Sequence, residues 1–131
     1  MSYTIKAAED GDYILIEVHG LIDRENGFRM TLESHILGRQ LGIDRYLMDL
    51  TDAVNQESAL HQYNYAYADL RNSEDLNRFA ICAGLVRPSD HSHDFIETVV
   101  RNAGFNFKLF RDLQQALAYI GQPATLKEKQ L

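Results

Sequence analysis

The stretch Arg45 to Arg71, RYLMDLTDAVNQESALHQYNYAYADLR, restricts the fold more than any other part of the chain. Arg45 to Leu50 is a short apolar run that fits a buried strand, and an acidic turn follows it. From Ser58 the spacing becomes helical: Leu60, Tyr63, Tyr67 and Leu70 recur on one face at a period near 3.6. A strand handing over to a helix is the repeating unit of a parallel α/β sheet. In such sheets ligands and switches gather at the strand ends.

The flanking sequence extends this alternation. Tyr3 to Lys6 is β-prone and ends at the turn signal Glu9-Asp10-Gly11. Asp12 to His19 follows as a strand closed by Gly20, with Ile14, Ile16 and Val18 on one face and Tyr13, Leu15 and Glu17 on the other. Asp23 is placed to cap a helix running to about Gln40, with Phe28, Leu32, Ile36, Leu37 and Leu41 as its apolar stripe. Gly42 stands just past its end, whereas Gly27 and Gly38 interrupt the pattern. Arg78 to Leu85 is nearly continuous in apolar residues, as suits a strand covered on both faces.

A further helix carries Phe95, Ile96, Val99 and Val100 and ends at Gly104; Ser89 or Ser92 would cap it. After the strand Phe105 to Phe110, Asp112 caps a helix whose buried face is Leu113, Ala116, Leu117 and Ile120, stopped by Gly121 and Pro123. The expected order is β-β-α-β-α-β-α-β-α. It makes an α/β fold with a single mixed sheet, mostly parallel, that opens on an antiparallel hairpin. Residues 1–121 form one domain and 122–131 a polar tail.

Composition narrows the function classes. A net charge of −6 leaves no Lys/Arg surplus to neutralise phosphates, so nucleic acid is not an expected partner. Cys82 is the only cysteine, which excludes an internal disulfide and reads as a small core residue. The start MSYTIKAAED lacks the basic and apolar regions of a signal peptide. No apolar run approaches the ~20 residues of a membrane span. A cytoplasmic protein that does not cross a membrane is expected.

The strand LMDLTDA leading into a helix, the opening hairpin and the closing NAGFNFKLFRDLQQALAYI together resemble the STAS domains, the sulfate-transporter and anti-sigma-factor-antagonist superfamily. The SpoIIAA-like branch of small bacterial proteins is the nearer likeness. It implies a non-enzymatic regulator acting by protein contact, with a kinase or an anti-sigma-like regulator as partner and self-association into a homodimer. In anti-sigma antagonists a serine nine residues after the strand-end Asp is phosphorylated. Counted from Asp49, that position is Ser58. Where the family has D-S-S-G, this chain reads Glu57-Ser58-Ala59-Leu60. The layout is also similar to the lipid-exchange (SEC14-like) fold, which implies an alternative role as carrier of an apolar small molecule or lipid.

The residues themselves define the candidate surface as Asp49, Thr51, Asp52, Glu57, Ser58, His61 and Tyr65. Ser58 can serve simply as a helix N-cap or also as a phosphorylation site. Asp49 and Asp52 could act in acid–base or Mg²⁺ chemistry, but no third ligand or phosphate-cradling loop accompanies them, so turn chemistry is expected and no metal or cofactor. His61 lies one turn beyond Ser58, yet the G-x-S-x-G elbow of a hydrolase is missing. Tyr63 and Tyr67 belong to the apolar stripe, and Tyr65 should point outward to a partner. The dense cluster Asp90-His91-Ser92-His93-Asp94 reads as a loop and first helical turn, with metal binding or pH sensing as its alternative role.

Overall fold

The computed structural model describes residues 1–9 and 11–122. Asp10, in the expected first turn, and 123–131, most of the expected tail including Pro123, lie outside the described residues. The elements are β1 (Ser2–Ala7), β2 (Ile14–Ile22), α1 (Arg24–Leu41), β3 (Arg45–Asn55), α2 (Ala59–Asn64), β4 (Ile81–Leu85), α3 (Asp94–Asn102), β5 (Asn106–Phe110) and α4 (Leu113–Tyr119). A π-helical segment, Tyr65–Leu70, continues α2. The five strands lie in chain order in one sheet, β1 antiparallel to β2 and the others parallel. This is the expected mixed α/β architecture.

Two strands run further than expected. β2 does not end at Gly20, which sits at φ 89° within it, and β3 does not end at Leu50. Their extensions pair with each other, His19 opposite Asp52 and Ile22 opposite Asn55. The "acidic turn" is therefore strand. Its register slips once, since Glu17 faces Asp49 but His19 faces Asp52, giving β3 one extra residue. The bulge resets the side-chain phase: Leu50 and then Ala53, three residues on, both enter the core. Asp52 and Val54 are turned to the opposite face, where charge can stay in water.

The two faces of the sheet are covered differently. On one, α4 seals Tyr13, Leu47 and Ala83 with Ala116, Leu117 and Ile120. Asp112 caps that helix as expected, its Oδ2 accepting from Gln115 N at 3.0 Å. On the other face lie α1, α2 with its π segment, and α3. They pack on Ile14, Ile16, Val18, Tyr46 and Leu50 and on one another through Ala66, Leu70, Val99 and Val100.

The apolar stripe expected on α1 is displaced. Its buried positions are Gly27, Met30, Ser34 and Gly38, while Ile36 is 47% exposed and Leu41 50%. Phe28 and Leu32 pack sideways against the π segment and α3. Of the two glycines that appeared to weaken the helix, Gly38 is what lets it approach. A Cβ on Gly38 would overlap the Tyr46 hydroxyl and come within 2.7 Å of Ile43 O. His35, on the next turn, stacks on the Tyr46 ring at 4.8 Å and 11°.

Candidate functional site

The loop between β3 and α2 is held from several sides. Asn55 N donates to Ser92 Oγ at 3.1 Å, and Asn55 Oδ1 accepts from Glu57 N at 3.0 Å. The Glu57 carboxylate accepts from Arg24 N, the first residue of α1, at 3.0 Å and faces His61 Nδ1 at 3.2 Å. Gln62 Nε2 donates to Glu57 O at 2.8 Å. Arg24 in turn grips Asp69 of the π segment through two hydrogen bonds of 2.7 and 2.8 Å. A loop with this many anchors presents its exposed side chains from a fixed frame.

Ser58 is one of those side chains. It is exposed, stands in extended backbone as the N-cap of α2, and its Oγ accepts from His61 N at 3.2 Å. The His61 ring turns to Glu57 rather than to the serine hydroxyl. This is capping geometry. Two large apolar side chains are exposed beside it, Leu60 at 66% and Tyr63 at 48%.

Of the seven residues expected to form one surface, the structure gathers Glu57, Ser58 and His61. Asp52 faces the other side of the sheet with His19, whose Nδ1 is 2.6 Å from Asp52 Oδ2; Arg87 Nη2 lies 3.4 Å from Oδ1. Asp49 Oδ1 accepts from Thr51 N and Thr51 Oγ1 at 3.0 and 2.7 Å, a local arrangement that ties the bulge.

Tyr65 corrects the expectation outright. It is directed inward against the α1–α3 cluster, and its hydroxyl lies 2.8 Å from Thr31 Oγ1. Burial pushes the Tyr65 hydroxyl up to about 12, against the lowering influence of the Thr31 hydrogen bond. Helical counting assumed i→i−4 bonds throughout, whereas Arg71 N bonds Ala66 O, five residues back. The inward residues become Gln62, Ala66 and Leu70, and the expected stripe members Leu60 and Tyr63 turn outward. Neither exposed residue was expected on the surface; the inward side is marked in the sequence by Gln62, Ala66 and Leu70 at i, i+4, i+8.

The Asp90–Asp94 cluster is tied into the fold by its own hydrogen bonds. His93, not Ser89 or Ser92, is the N-cap residue of α3. His93 is buried, its Nε2 3.0 Å from Ala53 O and 3.4 Å from Asp90 Oδ2, while exposed His91 pairs with Asp94 at 3.0 Å. Burial raises the Asp90 carboxyl, but hydrogen bonds from Ser92 and the nearby His93 and Arg87 outweigh it, and the net shift is downward. Among the described residues no group of three or more His, Cys, Asp or Glu is placed to hold a metal ion.

Between the sheet and its three-helix cover lies a cavity of about 130 Å³. Met30, Met48, Leu50, Tyr65 and Cys82 are among its walls, and Glu57, His61 and Gln62 bring it up to the Ser58 loop. Burial pushes the Cys82 thiol up to about 12, which favours its protonated form.

No protein-family model matches the chain, and no curated protein sequence matches it. Among solved structures it is similar to an anti-sigma factor antagonist from Mycobacterium paratuberculosis, at 13% identity and a TM-score of 0.58, over 92% of this chain and 94% of that one. The chain shares the fold of that anti-sigma factor antagonist. It is also similar to a DUF3478-family protein with a SpoIIAA-like fold from Shewanella loihica, at 19% identity and a TM-score of 0.49, over 91% and 92% of the two chains. Among the described residues no helix is long and apolar enough to cross a membrane.

Proposed function

We propose that this chain is a non-enzymatic regulatory module that binds a protein partner through the start of α2. The observation that supports the reading best is the exposed Ser58 cap on an anchored loop, followed by outward Leu60 and Tyr63. Interfaces favour this combination, an aromatic and an aliphatic anchor beside polar groups held rigidly. The partner class is an anti-sigma-like regulator, in keeping with the fold shared with an anti-sigma factor antagonist. Phosphate on Ser58 would add about −1.5 to −2 charge at the edge of that surface, next to the Glu57 carboxylate, and would act as a switch on binding.

A photo-crosslinking residue placed at Tyr63 tests the surface, with Phe79, exposed on the loop before β4, as control. A partner captured at 63 and lost on Leu60→Asp is the expected result. Equal capture from both positions would remove this surface. For the switch, a kinase that labels wild type should leave Ser58→Ala unlabelled, and equal labelling of the two assigns the phosphate elsewhere.

A further inference from the structure

The two edges of the sheet are finished differently. In β5 the Phe110 carbonyl accepts from Val86 N at 2.9 Å, so by strand alternation Phe107 and Leu109 direct their backbone groups away from β4. Side chains of α3 meet both residues: Leu109 N donates to Glu97 Oε2 at 2.6 Å, and Phe107 O accepts from Arg101 Nη1 at 2.9 Å. An edge covered in this way resists pairing with another strand. β1 forms the other edge. Ala8 N donates to Tyr13 O at 2.9 Å, so Ser2, Thr4 and Lys6 turn their backbone groups toward β2, and Tyr3, Ile5 and Ala7 turn theirs outward. Among the described residues no strand lies beyond β1 and no side chain caps these outward groups.

An open ladder of this kind accepts an added extended strand, and the sequence of β1 specifies which one. On the α1 side of the sheet Tyr3 and Ile5 are half-buried against the core. On the other side Ser2, Thr4 and Lys6 are exposed, with Lys6 Nζ 3.6 Å from Glu17. Laid antiparallel against itself with Thr4 on the two-fold axis, β1 sets Tyr3 opposite Ile5 of a second copy, twice. Each of those pairs exchanges two backbone hydrogen bonds. Aromatic on β-branched and Thr on Thr are favourable cross-strand pairs. The same register puts Lys6 opposite Ser2 and holds the two lysines apart, whereas a slide that brings Ile5 onto the axis makes them diagonal neighbours. We infer that β1 is the interface of a homodimer, in which two five-stranded sheets join edge to edge and leave only the capped β5 edges outside. The contact uses the same strand of both copies, so the assembly closes at two. It does not depend on the α2 surface proposed above, which lies on a different element.

Sedimentation equilibrium over a wide range of concentrations should show monomer passing to dimer and nothing larger. Hydrogen exchange on wild type should find the Tyr3 and Ile5 amides protected at high concentration and released on dilution, a readout that needs no variant to fold. Ile5→Pro removes an N–H that points out of the sheet, so the fold, checked by circular dichroism, should persist. Its dimer should dissociate roughly tenfold more readily or beyond, because the lost bond occurs twice across the axis. Thr4→Cys sets two thiols opposite each other at the close spacing of a non-hydrogen-bonded pair and should crosslink under mild oxidation, whereas Lys6→Cys and wild type, with Cys82 alone, should not. A chain that stays monomeric at every concentration overturns the inference. So does a dimer that Ile5→Pro leaves intact, exchange at Tyr3 and Ile5 that ignores concentration, or crosslinking at position 6 rather than 4.

Discussion

The two faces of this sheet are built on opposite principles. The α4 face is a single short helix whose caps and apolar positions are contiguous in sequence, and it closes on β4 and β5 with Ala83 and Ala116 fully buried. The opposite face is assembled from three helical pieces that meet through small residues, Gly27, Ser34 and Gly38, and through a π-helical segment. The first arrangement is tight; the second keeps a cavity and brings polar groups, His35, Gln62 and Tyr65, into the interior. Local regularity produced the dense face, and long-range accommodation produced the face where binding chemistry can reside.

The largest test of that contrast is Ile120→Ala. On the close-packed α4 face it should cost about 3–4 kcal/mol by chemical denaturation, because the removed volume cannot be refilled. Met48→Ala, bordering the cavity, should cost clearly less, and equal losses would break the comparison.

Next is pH. Burial, with Arg39 nearby, lowers His35 from its usual value near 6.5 to about 4. A base depressed in the folded state contributes stability above about pH 6.5, and that contribution is lost as pH falls toward 4. Between pH 7.5 and 4.5 wild type should lose about 2 kcal/mol more than His35→Gln, read from paired denaturation curves. A parallel fall in both proteins would show that the imidazole is solvated.

Gly38→Ala should cost about 2 kcal/mol through overlap with the Tyr46 hydroxyl. Tyr46→Phe, which removes that oxygen, should recover part of the loss in the double variant. Additive effects would mean that Ile43 O, not the hydroxyl, sets the approach. The smallest effect is expected at Asp52→Asn on the exposed side of the sheet. Its pairs with His19 and Arg87 are open to water, so thermal unfolding should shift by no more than about 0.5 kcal/mol equivalent.

The same contrast explains how much was legible beforehand. α4 was readable in detail, since Asp112, Leu113, Ala116, Leu117, Ile120 and Gly121 carry their signals within a few residues of one another. The inward set of β2, Ile14, Ile16 and Val18, was readable for the same reason: a strand alternates by construction. The site was readable only at Glu57, Ser58 and His61. Asp52 went to the opposite face because a bulge in β3 reset its phase, and Tyr65 went inside because α2 buries the side that carries Gln62, three residues earlier. The bulge has no strong local signature, so counting at a fixed period misplaces the strand residues that follow it.

Sequence alone thus determined the alternation of strands and helices, the mixed sheet with its opening hairpin, and the serine at the start of α2. Those depend on apolar periodicity and capping chemistry, which act over a few residues. Tertiary structure decided how far β2 and β3 extend, which side of α1 and α2 is buried, and where the cavity lies. Each of these depends on which backbone groups and side chains from distant segments meet, as when the Tyr46 hydroxyl selects glycine on α1. No window of neighbouring residues contains that information.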